Sequence, residues 1–145
     1  MDKFMKVAFE EAQRGYDEGG IPIGSVLMHQ GKILGQGHNT RVQKGSVVLH
    51  GEMQALENAG RQPAAVYQDC TLYTTLSPCP MCSGAILLYG IPRVVVAENK
   101  TFMGEEALLR ERGVEVTVTD DAACYELMQK FIREQPAVWN EDIGV

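Results

Sequence analysis

Phe4, Met5, Ala8, Phe9, Ala12 and Tyr16 recur at intervals of three or four, which predicts an amphipathic helix at the start of the chain. It should stop near Gly19-Gly20, two residues before Pro22. Residues 23–29 and 32–37 read as two short strands joined around Gln30-Gly31, a hairpin signal. A loop rich in Asn39, Thr40, Lys44, Gly45 and Ser46 leads to His50 and a helix through Glu57. Residues 72–75 read as a strand. Ser77-Pro78 then reads as a helix start, with Ser77 as N-cap and Pro78 at the first position, and that helix should end at Gly90. Strands over 93–97 and 114–119 flank a helix over 105–111. Cys124, Leu127, Met128, Phe131 and Ile132 mark a last helix, and from Pro136 the pattern predicts only a tail.

Strands that alternate with helices in the second half imply parallel pairing through crossovers, while the opening hairpin is antiparallel. The expected architecture is therefore α/β, a mixed sheet covered by helices on both faces. Such layering lets two helix N-termini point at one crevice. No repeat or low-complexity linker interrupts the pattern, so residues 1–145 are expected to form one domain.

Charge narrows the range of partners. With 19 acidic and 13 basic residues the formal charge is −6, which argues against affinity built on neutralising a phosphate backbone. The charge-free stretch 71–92 is broken by Pro78, Pro80, Gly84 and Pro92. A spanning helix needs about 20 predominantly apolar residues, so this stretch reads as strand, turn and buried helix. The opening residues lack the basic-then-apolar order of a secretory signal, and the expectation is a soluble, cytoplasmic protein. In that setting the cysteines are not a disulfide framework. Cys70 and Cys124 read as small buried hydrophobes; Cys79 and Cys82 read as a metal or redox pair.

The chemistry lies in His50-Gly51-Glu52 followed by Pro78-Cys79-Pro80-Met81-Cys82. This is the known H-x-E…P-C-x-x-C signature of zinc-dependent nucleobase deaminases. Its physical logic is clear. Cys79 and Cys82 are i, i+3 neighbours, so both sulfurs reach one ion, and a helix start favours thiolates. His50 supplies a third, neutral ligand. Three protein ligands leave the fourth tetrahedral position open to water, whose pKa zinc lowers to about 7. Glu52 stands beside the ligands without being one, as a proton carrier must. A thiol redox protein built on Cys79 and Cys82 is the competing reading, but it has no use for His50 and Glu52.

Beyond the motif, the chain resembles the fungal type of cytosine deaminase within the cytidine deaminase-like superfamily. The shared runs are 18–24 (EGGIPIG), 37–39 (GHN), 43–46 (QKGS), 49–52 (LHGE), 72–79 (LYTTLSPC), 89–93 (YGIPR), Glu98-Asn99 and 141–144 (EDIG), which span nearly the whole chain. The resemblance implies a three-layer α/β/α fold with a five-stranded mixed sheet, a homodimer, and one zinc ion per subunit. It implies that Asn39, the Gly51 backbone N–H and Asp142 bind the pyrimidine edge carrying O2 and N1, and that Phe102 and Trp139 pack against the ring. Val42 and Asn140 stand where the fungal type carries aromatic residues, which is expected to enlarge the pocket or alter its gate. The expected reaction is hydrolysis of cytosine to uracil and ammonia. Guanine, isocytosine, a creatinine-like ring and tRNA adenosine are the alternatives for the same zinc chemistry.

Overall fold

A computed structural model describes residues 1–145 and opens on the expected helix, α1 (Lys3–Asp17). Asp2 caps it, its carboxylate accepting from the N–H groups of Phe4 at 2.8 Å and Met5 at 3.3 Å. The hairpin follows as β1 (Gly24–His29) and β2 (Lys32–His38), antiparallel, with Gly24 opposite His38. Gln30 and Gly31 both adopt positive φ, as a two-residue turn of matching twist requires.

The remaining strands are β3 (Cys70–Thr74), β4 (Arg93–Val96) and β5 (Glu115–Val118). The sheet runs β2-β1-β3-β4-β5, antiparallel as far as β3 and parallel from β3 to β5. The mixed five-stranded sheet is thus the one expected. Between the strands lie α2 (Arg41–Lys44), α3 (Gly51–Ala59), α4 (Ala64–Tyr67), α5 (Pro80–Tyr89) and α6 (Glu106–Glu111). The chain closes with α7 (Ala122–Glu134) and α8 (Pro136–Asp142).

Strand alternation divides the core. Val26 and Tyr73 face α1 and α7, packing with Met5, Ala8 and Cys124. Leu27, Leu72, Val94 and Val96 face the other way, onto Ile86 of α5 and Leu109 of α6. A third cluster of Ile21, Ile23, Leu76, Met128, Phe131 and Trp139 closes one end of the sheet. Cys70 and Cys124 are buried, as anticipated for small hydrophobes. No helix is long and apolar enough to cross a membrane.

Three expectations need correction. The helix after β3 starts at Pro80 with Cys79 as its N-cap, not at Pro78 with Ser77 as cap. A residue before proline is driven to extended backbone, and Cys79 sits at φ −68°, ψ 173°, so helix cannot begin ahead of it. The stretch from Pro136 is a helix and not a tail: Trp139, buried in the third cluster, supplies a tertiary anchor that seven residues of sequence periodicity cannot reveal. The loop after Asn39 carries the single turn α2.

His38, at the end of β2, is wedged between the carboxylate of Glu11 in α1 and that of Glu18, the residue capping the C-terminus of α1. Its Nδ1 lies 2.7 Å from Glu11 and its Nε2 2.8 Å from Glu18, while Gln36 and Arg14 hold the second oxygen of Glu11. The hydrogen bond to Glu11 raises the His38 pKa despite burial, and the same contacts lower both glutamates. A histidine raised on folding stabilises fully below its unfolded pKa of about 6.5, and that contribution is lost as pH climbs through the raised value. The glutamates contribute in the opposite sense, above about pH 4.3 and not below their depressed values. Urea midpoints of wild type and His38→Gln should therefore differ most between about pH 5 and 6.5 and converge toward alkaline pH. A gap independent of pH would show that His38 acts by shape alone.

Candidate active site

Two helix N-termini meet beside the carboxyl end of β3, each presenting a metal-ligand type of residue as its cap. His50 is the N-cap of α3, and Cys79 is the N-cap of α5. The terminal N–H groups of a helix have no intrahelical acceptor and favour negative charge, which suits a thiolate at Cys79 and an acceptor atom near Gly51. Gly51 is required by packing, because a Cβ there would lie 2.9 Å from the Ile23 carbonyl oxygen.

His50 Nδ1 stands 3.4 Å from the Cys79 sulfur and 3.7 Å from that of Cys82, and all three donor atoms fall within 4.8 Å of one another. A tetrahedral zinc ion with nitrogen at 2.0–2.1 Å and sulfur at 2.3 Å separates those atoms by about 3.6 Å. The donor set therefore fits zinc in both spacing and chemistry. Cys82 and His50 hydrogen-bond the Cys79 sulfur and, against its burial, pull that thiol down to about 4. Cys82, the partner in the shared bond, is pushed up. Burial alone would depress His50, yet Asp142 and Cys79 hold it at about 10. Two sulfurs and a ring nitrogen gathered this closely, with negative charge favoured at Cys79, are a donor set suited to a cation.

Glu52 follows one residue after Gly51 and is 4% exposed. Burial pushes its carboxyl up to about 7, partly offset by His50. A carboxyl poised near neutrality can both accept and donate a proton.

His50, Glu52, Cys79, Phe102, Trp139 and Asp142 line one pocket, walled further by Ile23, Leu76 and Ile143. Phe102 meets Trp139 edge to face, ring centroids 6.4 Å apart and planes at 85°. Cys82 lies fully buried against Cys79, and Asn39 is fully buried behind Asp142, its amide Nδ2 donating to both carboxylate oxygens at 3.2 and 3.3 Å. Asp142 Oδ1 also meets His50 Nε2 at 3.3 Å. A carboxylate on the far nitrogen of a metal-ligating histidine fixes its tautomer and ring orientation. Burial would raise the Asp142 carboxyl, but His50, Asn39 and Arg41 together hold it below its ordinary value.

Of the residues expected at the site, His50, Glu52, Cys79, Phe102, Trp139 and Asp142 share the pocket, Asn39 and Cys82 contact its lining from behind, and Gly51 lies between His50 and Glu52. Val42 and Asn140 are exposed and line neither the pocket nor its mouth, so they do not reshape its walls. Arg41 was missed. Its guanidinium contacts Glu141 and Asp142, partners a hundred residues away that a lone arginine in a polar loop does not announce.

Comparison with known proteins agrees with this geometry. The profile of the cytidine and deoxycytidylate deaminase zinc-binding region matches residues 1–98. The chain belongs to the cytidine and deoxycytidylate deaminase family. This deaminase is 60% identical over 143 residues to the cytosine deaminase of Candida albicans, covering 98% of the chain and 95% of that protein. It is 36% identical over 146 residues to a tRNA-specific adenosine deaminase of Streptococcus pyogenes serotype M18, covering 90% and 89% respectively. A solved structure of a guanine deaminase from Nitrosomonas europaea shares the fold, with TM-score 0.72 and 24% identity over 88% of this chain and 82% of that one. The deaminase is a zinc-dependent hydrolase acting on a carbon–nitrogen bond, with a His/Cys/Cys group placed for one ion.

Proposed function

We propose that this deaminase hydrolyses free cytosine to uracil and ammonia, with residues 1–145 acting as one domain. The observation that carries the reading is the orientation of the Asn39–Asp142 pair. Asn39 Oδ1 accepts from the Arg41 backbone N–H at 3.0 Å, so its Nδ2 faces Asp142 and retains a second hydrogen. Asp142 Oδ1 carries the contacts to His50 and Arg41, while Oδ2 meets only the shared Asn39 Nδ2 at 3.3 Å and keeps a lone pair free. A donor beside an acceptor matches the C2=O and N1–H of cytosine, with the Gly51 N–H as second donor to O2. The 60% identity to a cytosine deaminase supports the same substrate.

His50, Cys79 and Cys82 would hold the zinc, which when bound supplies the Lewis acidity that makes water nucleophilic near neutral pH. Glu52 takes the proton given up as the water oxygen adds to C4, and passes it to N3. It takes the second proton as the C4–O bond becomes a carbonyl, and delivers it to the amine, which leaves as ammonia. Phe102 and Trp139 pack on the ring and exclude bulk solvent. A nucleoside bears carbon in place of the N1 hydrogen, so it loses the bond to Asp142 and brings a ribose against Trp139.

Cytosine, cytidine, isocytosine, guanine, creatinine and an adenosine-bearing tRNA stem-loop should be compared for ammonia release. Release from cytosine alone is expected, and equal turnover of cytidine would sink the substrate assignment. Asp142→Asn should raise KM for cytosine by roughly tenfold to a hundredfold, the worth of a hydrogen bond to a charged group. The chain is further proposed to pair as a homodimer, which the exposed apolar side chains Val47, Val48, Leu88 and Tyr89 support. Sedimentation at micromolar concentration decides that point. The cytoplasm is the proposed compartment, because zinc-binding thiols must stay reduced.

A further inference from the structure

Arg41 touches both polar side chains assigned to the substrate edge, and it does so with two different groups. Its backbone N–H binds Asn39 Oδ1 at 3.0 Å, and its guanidinium Nη1 binds Asp142 Oδ1 at 3.1 Å. The rest of the guanidinium is committed elsewhere. Nη1 and Nη2 grip both oxygens of Glu141, at 2.7 and 2.8 Å, and Nε donates to the Val47 carbonyl at 3.0 Å. The fork is rigid and two-pronged, the geometry that distinguishes arginine from lysine.

The partners come from separate segments that meet at the pocket mouth, which Arg41, Val47, Phe102, Glu141 and Ile143 line. Arg41 and Val47 belong to the segment between β2 and α3; Glu141 and Asp142 end α8. That helix follows α7 across the single residue Gln135, whose φ of −137° and ψ of 58° break the helical path and redirect the chain, so α8 takes its place from side-chain contacts as well as from its connection. Trp139 anchors it on the apolar side, and the Arg41 fork anchors its C-terminal end at the mouth.

We infer that Arg41 is a positioning residue, one that aligns Asn39 and Asp142 for the substrate and, through Glu141, latches α8 over the pocket. The alignment rests on the substrate reading above; the latch does not. Asp142 is 2% exposed at its side chain but Glu141 is 67% exposed. Salt therefore screens the Glu141 half of the latch and leaves the Asp142 half nearly intact.

Trp139 is the chain's one tryptophan and sits on α8, so its fluorescence reports the latch without substrate. In the zinc-loaded enzyme, Glu141→Gln should increase acrylamide quenching of Trp139 and raise KM for cytosine about two- to fivefold. Raising sodium chloride from 0.05 to 0.5 M should do the same to wild type and add little to the variant. Arg41→Gln should raise KM by about tenfold or more, with zinc content unchanged and kcat within about threefold, and Arg41→Lys should recover part of the loss. Glu141→Gln matching wild type in both quenching and KM at low salt would overturn the inference. Should cytosine prove not to be the substrate, the quenching comparison still decides the latch by itself.

Discussion

Glu52→Gln should lower kcat by about three orders of magnitude or more while the protein keeps one zinc ion per chain. General acid–base catalysis contributes about 10²–10⁴-fold, and here one carboxylate handles two successive proton transfers in each cycle. Glutamine fills the same volume but can neither accept the proton from water nor carry it to N3. Stability should hardly change. Glu52 is 4% exposed, and burial already pushes its carboxyl up to about 7, so the site tolerates a neutral side chain. Metal analysis, thermal unfolding and ammonia release from one preparation separate the possibilities. Lost zinc would make Glu52 a structural support of the ligand cage, and near-normal turnover would remove it from the mechanism.

Much of this site could be read before any coordinates, and the reason is local. His50, Cys79 and Cys82 each sit within three residues of a helix start, and helix starts leave marks in sequence: a proline, a cap, the onset of 3.6 periodicity. The order of strands and helices fixed the crossovers, and the crossovers bring two helix N-termini to the end of β3. What stayed hidden depends on contacts between distant segments. Arg41 and Glu141 are a hundred residues apart, and neither is unusual in its own neighbourhood. The helix α8 is too short to show periodicity and is held by Trp139 against Ile21, Ile23 and Leu76, which lie in distant connecting segments. Ser77 misled for a different reason. It has the composition of a cap, but its hydroxyl accepts from the Gly104 N–H and donates to Glu106, tying the loop that carries Phe102 to the turn before Cys79. Gly104 is needed there because a Cβ would run into the Pro78 carbonyl at 1.8 Å.

Cys82→Ser should give a folded protein that neither retains zinc nor turns over cytosine. Cys82 is the better ligand to test, since Cys79 also caps α5 and its loss would add about 1 kcal/mol of helix destabilisation to the loss of metal. Serine matches cysteine closely in volume, so the fully buried position gains no appreciable cavity, and its hydroxyl can still pair with the Cys79 sulfur. A hydroxyl does not ionise as a thiol does, however, and it is a poor partner for an ion that prefers sulfur and imidazole. Even losing a group that merely orients a ligand weakens metal binding about 10–100-fold, so removing the ligand itself should leave the site empty at micromolar zinc. Wild type stripped by a chelator should regain activity and thermal stability on zinc addition, the stability rising by about 2.7 kcal/mol at a hundredfold excess over Kd. The variant should regain neither. A Cys82→Ser protein that held stoichiometric zinc and deaminated cytosine at the wild-type rate would show that the ion is held by another set of atoms.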